Sequence, residues 1–74
     1  MQELHDLQKR LGLRIKHLRK RHGWSQEEFA HFCGLHRAYM GSVERGERNV
    51  TLKNLQILAK TLDTSLSKLF KGIG

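Results

Sequence analysis

The 74-residue chain carries five histidines and one cysteine, the side chains best suited to bind a metal or to act as nucleophile and base. The histidines stand at positions 5, 17, 22, 31 and 36. No two are three or four residues apart on one helix, so no helical face offers a ligand pair, and one cysteine cannot complete a zinc set. Neither a metal nor any other cofactor is expected. A Cys–His nucleophile fails for a related reason, because Cys33 falls on the packed side of its helix and should be inert. A glycine-rich phosphate loop is also missing. Nothing in the residue types argues for an enzyme.

What remains is positive charge. Fourteen Lys and Arg stand against seven Asp and Glu, a net charge of +7. Between Lys9 and Arg21 there are seven basic residues and no acidic one. Such an excess suits polyanions, since each neutralised phosphate releases counterions. The same run is equally a well-solvated helix face. The stretch "CGLHRAYMGSVERGERN", from Cys33 to Asn49, is more pointed, with its glycines, an arginine beside a tyrosine and charge crowded at one end.

These residues must be positioned by something. A chain of 74 residues supports one small domain with a thin core. No run of about 18 apolar residues exists to span a membrane. The start, "MQELHDLQKR", lacks the apolar centre of a signal peptide. The lone cysteine excludes an internal disulfide and fits a reducing cytoplasm. With no proline, the expectation is an all-α fold.

Leu4, Leu7, Leu11, Ile15, Leu18 and His22 mark an amphipathic first helix ended by Gly23. In "WSQEEF", Ser25 and Glu28 form a capping box, with Trp24 and Phe29 at staple positions. The staple spacing recurs at Leu35 and Met40 and at Val50 and Leu55, where Thr51 is a good cap. His36 is a poor one. Leu52, Leu55, Leu58, Ala59 and Leu62 stripe a fourth helix, and Leu66, Leu69 and Phe70 should be buried by a brief fifth. The spacing predicts helices near 6–22, 25–32, 36–44, 51–62 and 65–70, with residues 1–5 and 71–74 frayed.

The second and third helices, joined by a tight turn at Gly34, make a helix-turn-helix. Ala30 is small where the helices cross, Gly34 can take the left-handed turn, and Phe29, Cys33, Leu35, Met40 and Val43 face inward. Over residues 11 to 70 the chain resembles the lambda-repressor-like (Cro/cI, Xre) helix-turn-helix family. Within it, "LHRAYMGSVERGERNVTLKNLQILAKTL" most resembles the controller proteins of restriction-modification systems.

The resemblance implies a compact five-helix domain that binds double-stranded DNA as a homodimer, encoded by a bacterium or phage. It implies transcriptional regulation at a pseudo-palindromic operator. On that pattern His36, Arg37, Ala38 and Ser42 are exposed base-reading candidates, with Arg48 reading beyond the helix. Arg37 leads, because its planar fork matches the guanine O6 and N7 acceptors. Gln26 corresponds to a phosphate contact, although helix-start chemistry explains it as well. Tyr39 either points at the DNA backbone or caps a hydrophobic edge. Arg45, Asn49, Thr51, Lys53 and Asn54 suit phosphates, whereas Glu47 would repel them. Arg19 and Glu44 are implied as a partly buried ion pair.

Gly41 costs a helix roughly 0.8–1 kcal/mol against alanine and would let DNA or a neighbouring helix approach. Dimer contacts are expected from the last two helices through Ile57, Leu66 and Leu69. Lacking a sensing domain, the protein is expected to take no small-molecule ligand and no membrane. The rival reading is an antitoxin-like protein-interaction module that keeps the fold, with Phe32 and Ile57 off the core stripes in its favour.

Overall fold

The computed structural model describes residues 2–73, with side chains from His5 onward. Five helices follow in order: α1 (Gln2–Arg21), α2 (Gln26–Cys33), α3 (Arg37–Glu44), α4 (Leu52–Thr61) and α5 (Leu66–Leu69). No strand occurs among the described residues. Every expected helix forms, though α1 begins at Gln2 rather than near residue 6. The side chain of Leu4, and Met1 and Gly74, lie outside the described residues.

The helix starts form for local reasons. Ser25 Oγ accepts from the Glu28 N–H at 3.0 Å, while the Glu28 carboxylate accepts from the Ser25 N–H at 2.8 Å. These bonds hold the Glu28 carboxyl below its ordinary value, led by the Ser25 backbone donor. The box is therefore at full strength above the ordinary carboxylate range and is lost as pH falls through the lowered value. Trp24 and Phe29 stack with centroids 6.0 Å apart, closing the staple. Gly34 ends α2 at φ 71°, the left-handed turn expected of it. Thr51 and Ser65 cap α4 and α5, each accepting at 3.1 Å from the N–H three residues on. His36 makes no side-chain cap bond.

Ile15, Phe29, Met40, Leu58 and Leu69, one from each helix, are wholly buried and form the centre of the core. Two expectations fail at the C-terminal end. Leu66 and Phe70 are not buried but 40% and 37% exposed, because a four-residue helix can turn only one apolar position fully inward. That position is Leu69. Nor does the end of the chain hang free: Ile73 is 4% exposed, and its carbonyl accepts from Arg10 Nη1 at 3.1 Å. Arg14 Nη2 likewise donates to the Lys68 carbonyl at 3.1 Å, so two α1 arginines hold the α5 region.

The tightest junction lies between α1 and the end of α3. A Cβ built on Gly12 would stand 2.5 Å from the Val43 carbonyl oxygen and 2.6 Å from that of Glu44. One on Gly46, at φ 76°, would stand 2.6 Å from Lys9 Cα. Both neighbours are backbone and cannot swing aside. Gly12→Ala therefore sets a helix-propensity gain of about 1 kcal/mol against overpacking of about 1–3 kcal/mol or more. We expect net destabilisation of about 1–2 kcal/mol, read as a lower urea midpoint with unchanged slope. A midpoint equal to or above wild type would mean the two backbones are not in this register.

Candidate nucleic-acid interface

The site is built outward from one buried carboxylate. Glu44, 5% exposed, receives Arg19 Nε at 2.7 Å on one oxygen and Arg19 Nη2 at 3.1 Å on the other. Arg19 Nη1 also donates to the Trp24 carbonyl at 2.8 Å, and Gln26 Nε2 donates to Glu44 at 3.1 Å. One network thus ties α1, the entry to α2 and the end of α3. Gln26, expected at a phosphate, has its amide nitrogen turned inward to this carboxylate. The first turn of α2 also carries Glu27 and Glu28, which already complement the positive end of its dipole.

With α3 fixed at its C-terminal end, its outward residues are small: Ala38, Gly41 and Ser42. Long side chains lie across them. A Cβ on Gly41 would meet Arg45 Nη1 at 3.0 Å and Gln26 Oε1 at 3.2 Å. Gly41 thus admits neighbouring side chains, and its cost to the helix acquires a reason. Ser42 corrects an expectation. It is 8% exposed rather than open, because Arg48 lies over it with Nε donating to Ser42 Oγ at 3.2 Å. The Ser42 hydroxyl itself donates to the Tyr39 carbonyl at 2.7 Å. A base could reach Ser42 only after Arg48 swung away.

Arg48 also sits with its guanidinium carbon 5.6 Å from the centre of the Tyr39 ring. Tyr39 is half-buried against the core, and its hydroxyl accepts from Asn54 Nδ2 at 3.0 Å. So Tyr39 fills a hydrophobic edge and leaves its polar tip at the surface beside the start of α4. Thr51 and Asn54 lie at that start, with Lys53 exposed between them. Asn49 is exposed but accepts a hydrogen bond from Gln8, which ties its loop to α1. Arg45 and Glu47 pair at 3.1 Å, both more than half exposed, so Glu47 occupies one arginine rather than standing alone. His36, Arg37 and Ala38 are exposed at the start of α3, and Arg37 makes no ion pair among the described residues.

One expected dimer residue is lost. Leu69 is wholly buried in this fold and cannot meet a partner, whereas Leu66 is exposed and Ile57 half-buried. Cys33 is half-buried, and burial pushes its thiol above the ordinary range against a weaker lowering by Thr61. Sequence reasoning missed Gly12, which with Gly46 lets α1 seat α3; Gly46, expected to end the third helix, does so at φ 76° with its N–H on the Val43 carbonyl. The only signal was a glycine inside a clear amphipathic helix, which asks for a packing reason.

Residues 15–69 match the model of a helix-turn-helix family. The chain is 52% identical over 64 residues to the control protein C.SmaI of Serratia marcescens, covering 86% of this chain and 76% of that one. It is 42% identical to the control protein C.MunI of a Mycoplasma species, across 95% of this chain and 96% of that one. The crystal structure of the restriction-modification controller protein C.AhdI from Aeromonas hydrophila superposes with a TM-score of 0.81. Its sequence identity is 49%, over 88% of this chain and 97% of that one.

Removing one partner of the buried network leaves the other charged and unpaired. Glu44→Leu should cost about 3–5 kcal/mol in chemical denaturation, and Arg19→Met combined with it should recover most of that loss. Additive losses in the double variant would show that the two side chains are not coupled.

Proposed function

The chain belongs to the helix-turn-helix family, and on that footing we propose that it is a sequence-specific regulator of transcription that binds double-stranded DNA as a homodimer, in the manner of a restriction-modification controller. The observation that carries this reading is the outward face of α3. Arg37 and Ala38 are exposed on it, while Arg45 and Arg48 lie over the small residues Gly41 and Ser42, so that when they swing outward the helix can approach base edges closely between flanking cations.

Arg37 has the freedom and the fork to read a guanine in the major groove. His36 and Ala38 stand beside it as further base contacts, and Arg48 reaches bases once it leaves Ser42. Tyr39, Arg45, Asn49, Thr51, Lys53 and Asn54 take backbone phosphates. Gln26 does so only through whichever amide atom Glu44 leaves free. Base contacts from one copy are few, and a two-fold dimer doubles them, with recognition helices about 34 Å apart over a pseudo-palindrome. Ile57 and Leu66, on the last two helices, supply the apolar part of that pairing. The protein acts in the cytoplasm, where its concentration sets occupancy.

A second reading, a protein-interaction module, is favoured by Phe32, which lies 51% exposed against Trp24 at a centroid distance of 5.1 Å. Selection of bound sites from random duplex DNA separates the two. The regulator reading expects a two-fold motif to be enriched, and no enrichment would leave the interaction module standing.

Within an enriched site, Arg37→Ala should lose about 1–3 kcal/mol and relax preference at one base pair of each half. Lys53→Ala should weaken all sequences alike and lower the slope of log affinity against log salt by about 1. A loss at Arg37 that is uniform across sequences would make it a phosphate contact instead. Leu66→Asp should shift the protein toward monomer in sedimentation equilibrium and weaken operator binding with it. An unchanged dimer would place the interface elsewhere.

A further inference from the structure

Much of the basic run in α1 does not reach the α3 face. Arg19 is enclosed with Glu44, and Arg10 and Arg14 turn toward α5. Arg14 and Arg21 instead line a groove of about 530 Å³ with Lys68 and Lys71. It runs between the second half of α1 and the corner joining α4 to α5. No residue of α2, α3 or the segment 45–51 lines it. Its floor is apolar, made by half-buried Leu18 and by Leu62, which is 3% exposed. His22 closes one end, its ring stacked on Trp24 at 4.3 Å and its Nε2–H donating to the Leu62 carbonyl at 2.9 Å.

Four basic residues therefore share the lining with a single carboxylate, Asp63, whose φ of 55° places it in the tight turn that ends α4. Arg14 is partly enclosed, its Nε closed off from the groove and its Nη2 donating to the Lys68 carbonyl, so only the rest of its guanidinium is open to a ligand.

We propose that this groove is a binding site for a nucleoside polyphosphate. The volume lies within the range of small-ligand sites, and the combination of apolar floor and cationic rim asks for a ligand with both parts. A free phosphate would leave Leu18 and Leu62 without a contact. A duplex backbone, being convex, would touch Arg21 and Lys71 but not the floor. In a nucleotide the base lies on Leu18, backed by Leu62, beside His22, and the phosphates meet Arg21, Lys68 and Lys71, with the Arg14 guanidinium adjoining them. The site is separate from the DNA-reading face and departs from the expectation that no small molecule is bound, which rested only on the lack of a sensing domain.

Calorimetric titration of the intact protein with ATP, without magnesium, tests this. We expect saturable binding, weakened at least about tenfold by Arg21→Gln with Lys71→Gln, two exposed positions at which helical content should stay at the wild-type level. Lys68→Glu should weaken it at least as much, while Arg37→Ala on the DNA-reading face should leave it unchanged. Absence of saturation by about 1 mM ATP would overturn the proposal. So would an undiminished affinity in the charge variants, or an equal loss in Arg37→Ala. Inorganic tripolyphosphate binding as tightly as ATP would overturn the nucleoside half of the assignment, since the apolar floor would then contribute nothing.

Discussion

Three of the five helices meet at one carboxylate. Burying Glu44 is unfavourable by several kcal/mol unless its lone pairs are matched, and they are matched by donors from Arg19 and Gln26. That requirement fixes more than a contact. Arg19 must arrive from α1 with its fork in the plane of the carboxylate, and Gln26 must start α2 within reach. The end of α3 must also sink far enough to be covered. The last condition is met only because α1 carries Gly12, against which the Val43 and Glu44 carbonyls come to rest. A buried ion pair is weak evidence of net stability. What it supplies here is position, since these paired donors and acceptors hold α1, the start of α2 and the end of α3 in register.

The same accounting changes the meaning of the net charge of +7. Arg19 is internal, Arg45 is paired with Glu47, and Arg10 and Arg14 are turned to carbonyls of Ile73 and Lys68. Those two carbonyls belong to the last helix and the turn after it, where helix geometry leaves acceptors without intrahelical partners. A four-residue helix could not hold itself, so cations from α1 hold it. Apart from Lys9, Lys16, Lys20 and Lys60, the charge that remains divides between two surfaces. Arg37, Arg48 and Lys53 belong to the proposed recognition side, and Arg21, Lys68 and Lys71 to the groove between α1 and α5.

Where a feature was set by neighbours within five residues, the sequence made it legible. The Ser25 box, the Trp24–Phe29 staple, the Gly34 turn and the Thr51 cap all close over such distances. The family pattern implied the Arg19–Glu44 pair, which forms. What stayed hidden depends on residues far apart in the chain. Gly12 answers to Val43 and Glu44, and Ile73 is drawn in by Arg10. Ser42 has the spacing of an outward position, yet Arg48 folds back over it from beyond the helix end. Leu66 and Leu69 differ by one turn in a helix too short for a periodic pattern to separate them. Only the packed structure sends Leu69 inward.

The helix offered for recognition is also the one with least support of its own. Its N-cap, His36, gives no side-chain bond, its first turn has no acid, and Gly41 sits in its middle. An isolated segment of eight residues with these traits would not be helical in water. It is helical here because Met40 and Val43 are wholly or nearly buried and Glu44 is locked. All of that support acts from the inward side. The exposed positions Arg37 and Ala38 are therefore left free of structural duty, and they can carry whatever side chains a binding surface requires. Gly41 marks the limit of that freedom, because its recess receives Gln26 and Arg45 from either side. A bulkier residue there would push aside Gln26, which ties the start of α2 to Glu44, and the Glu44 network would feel it first.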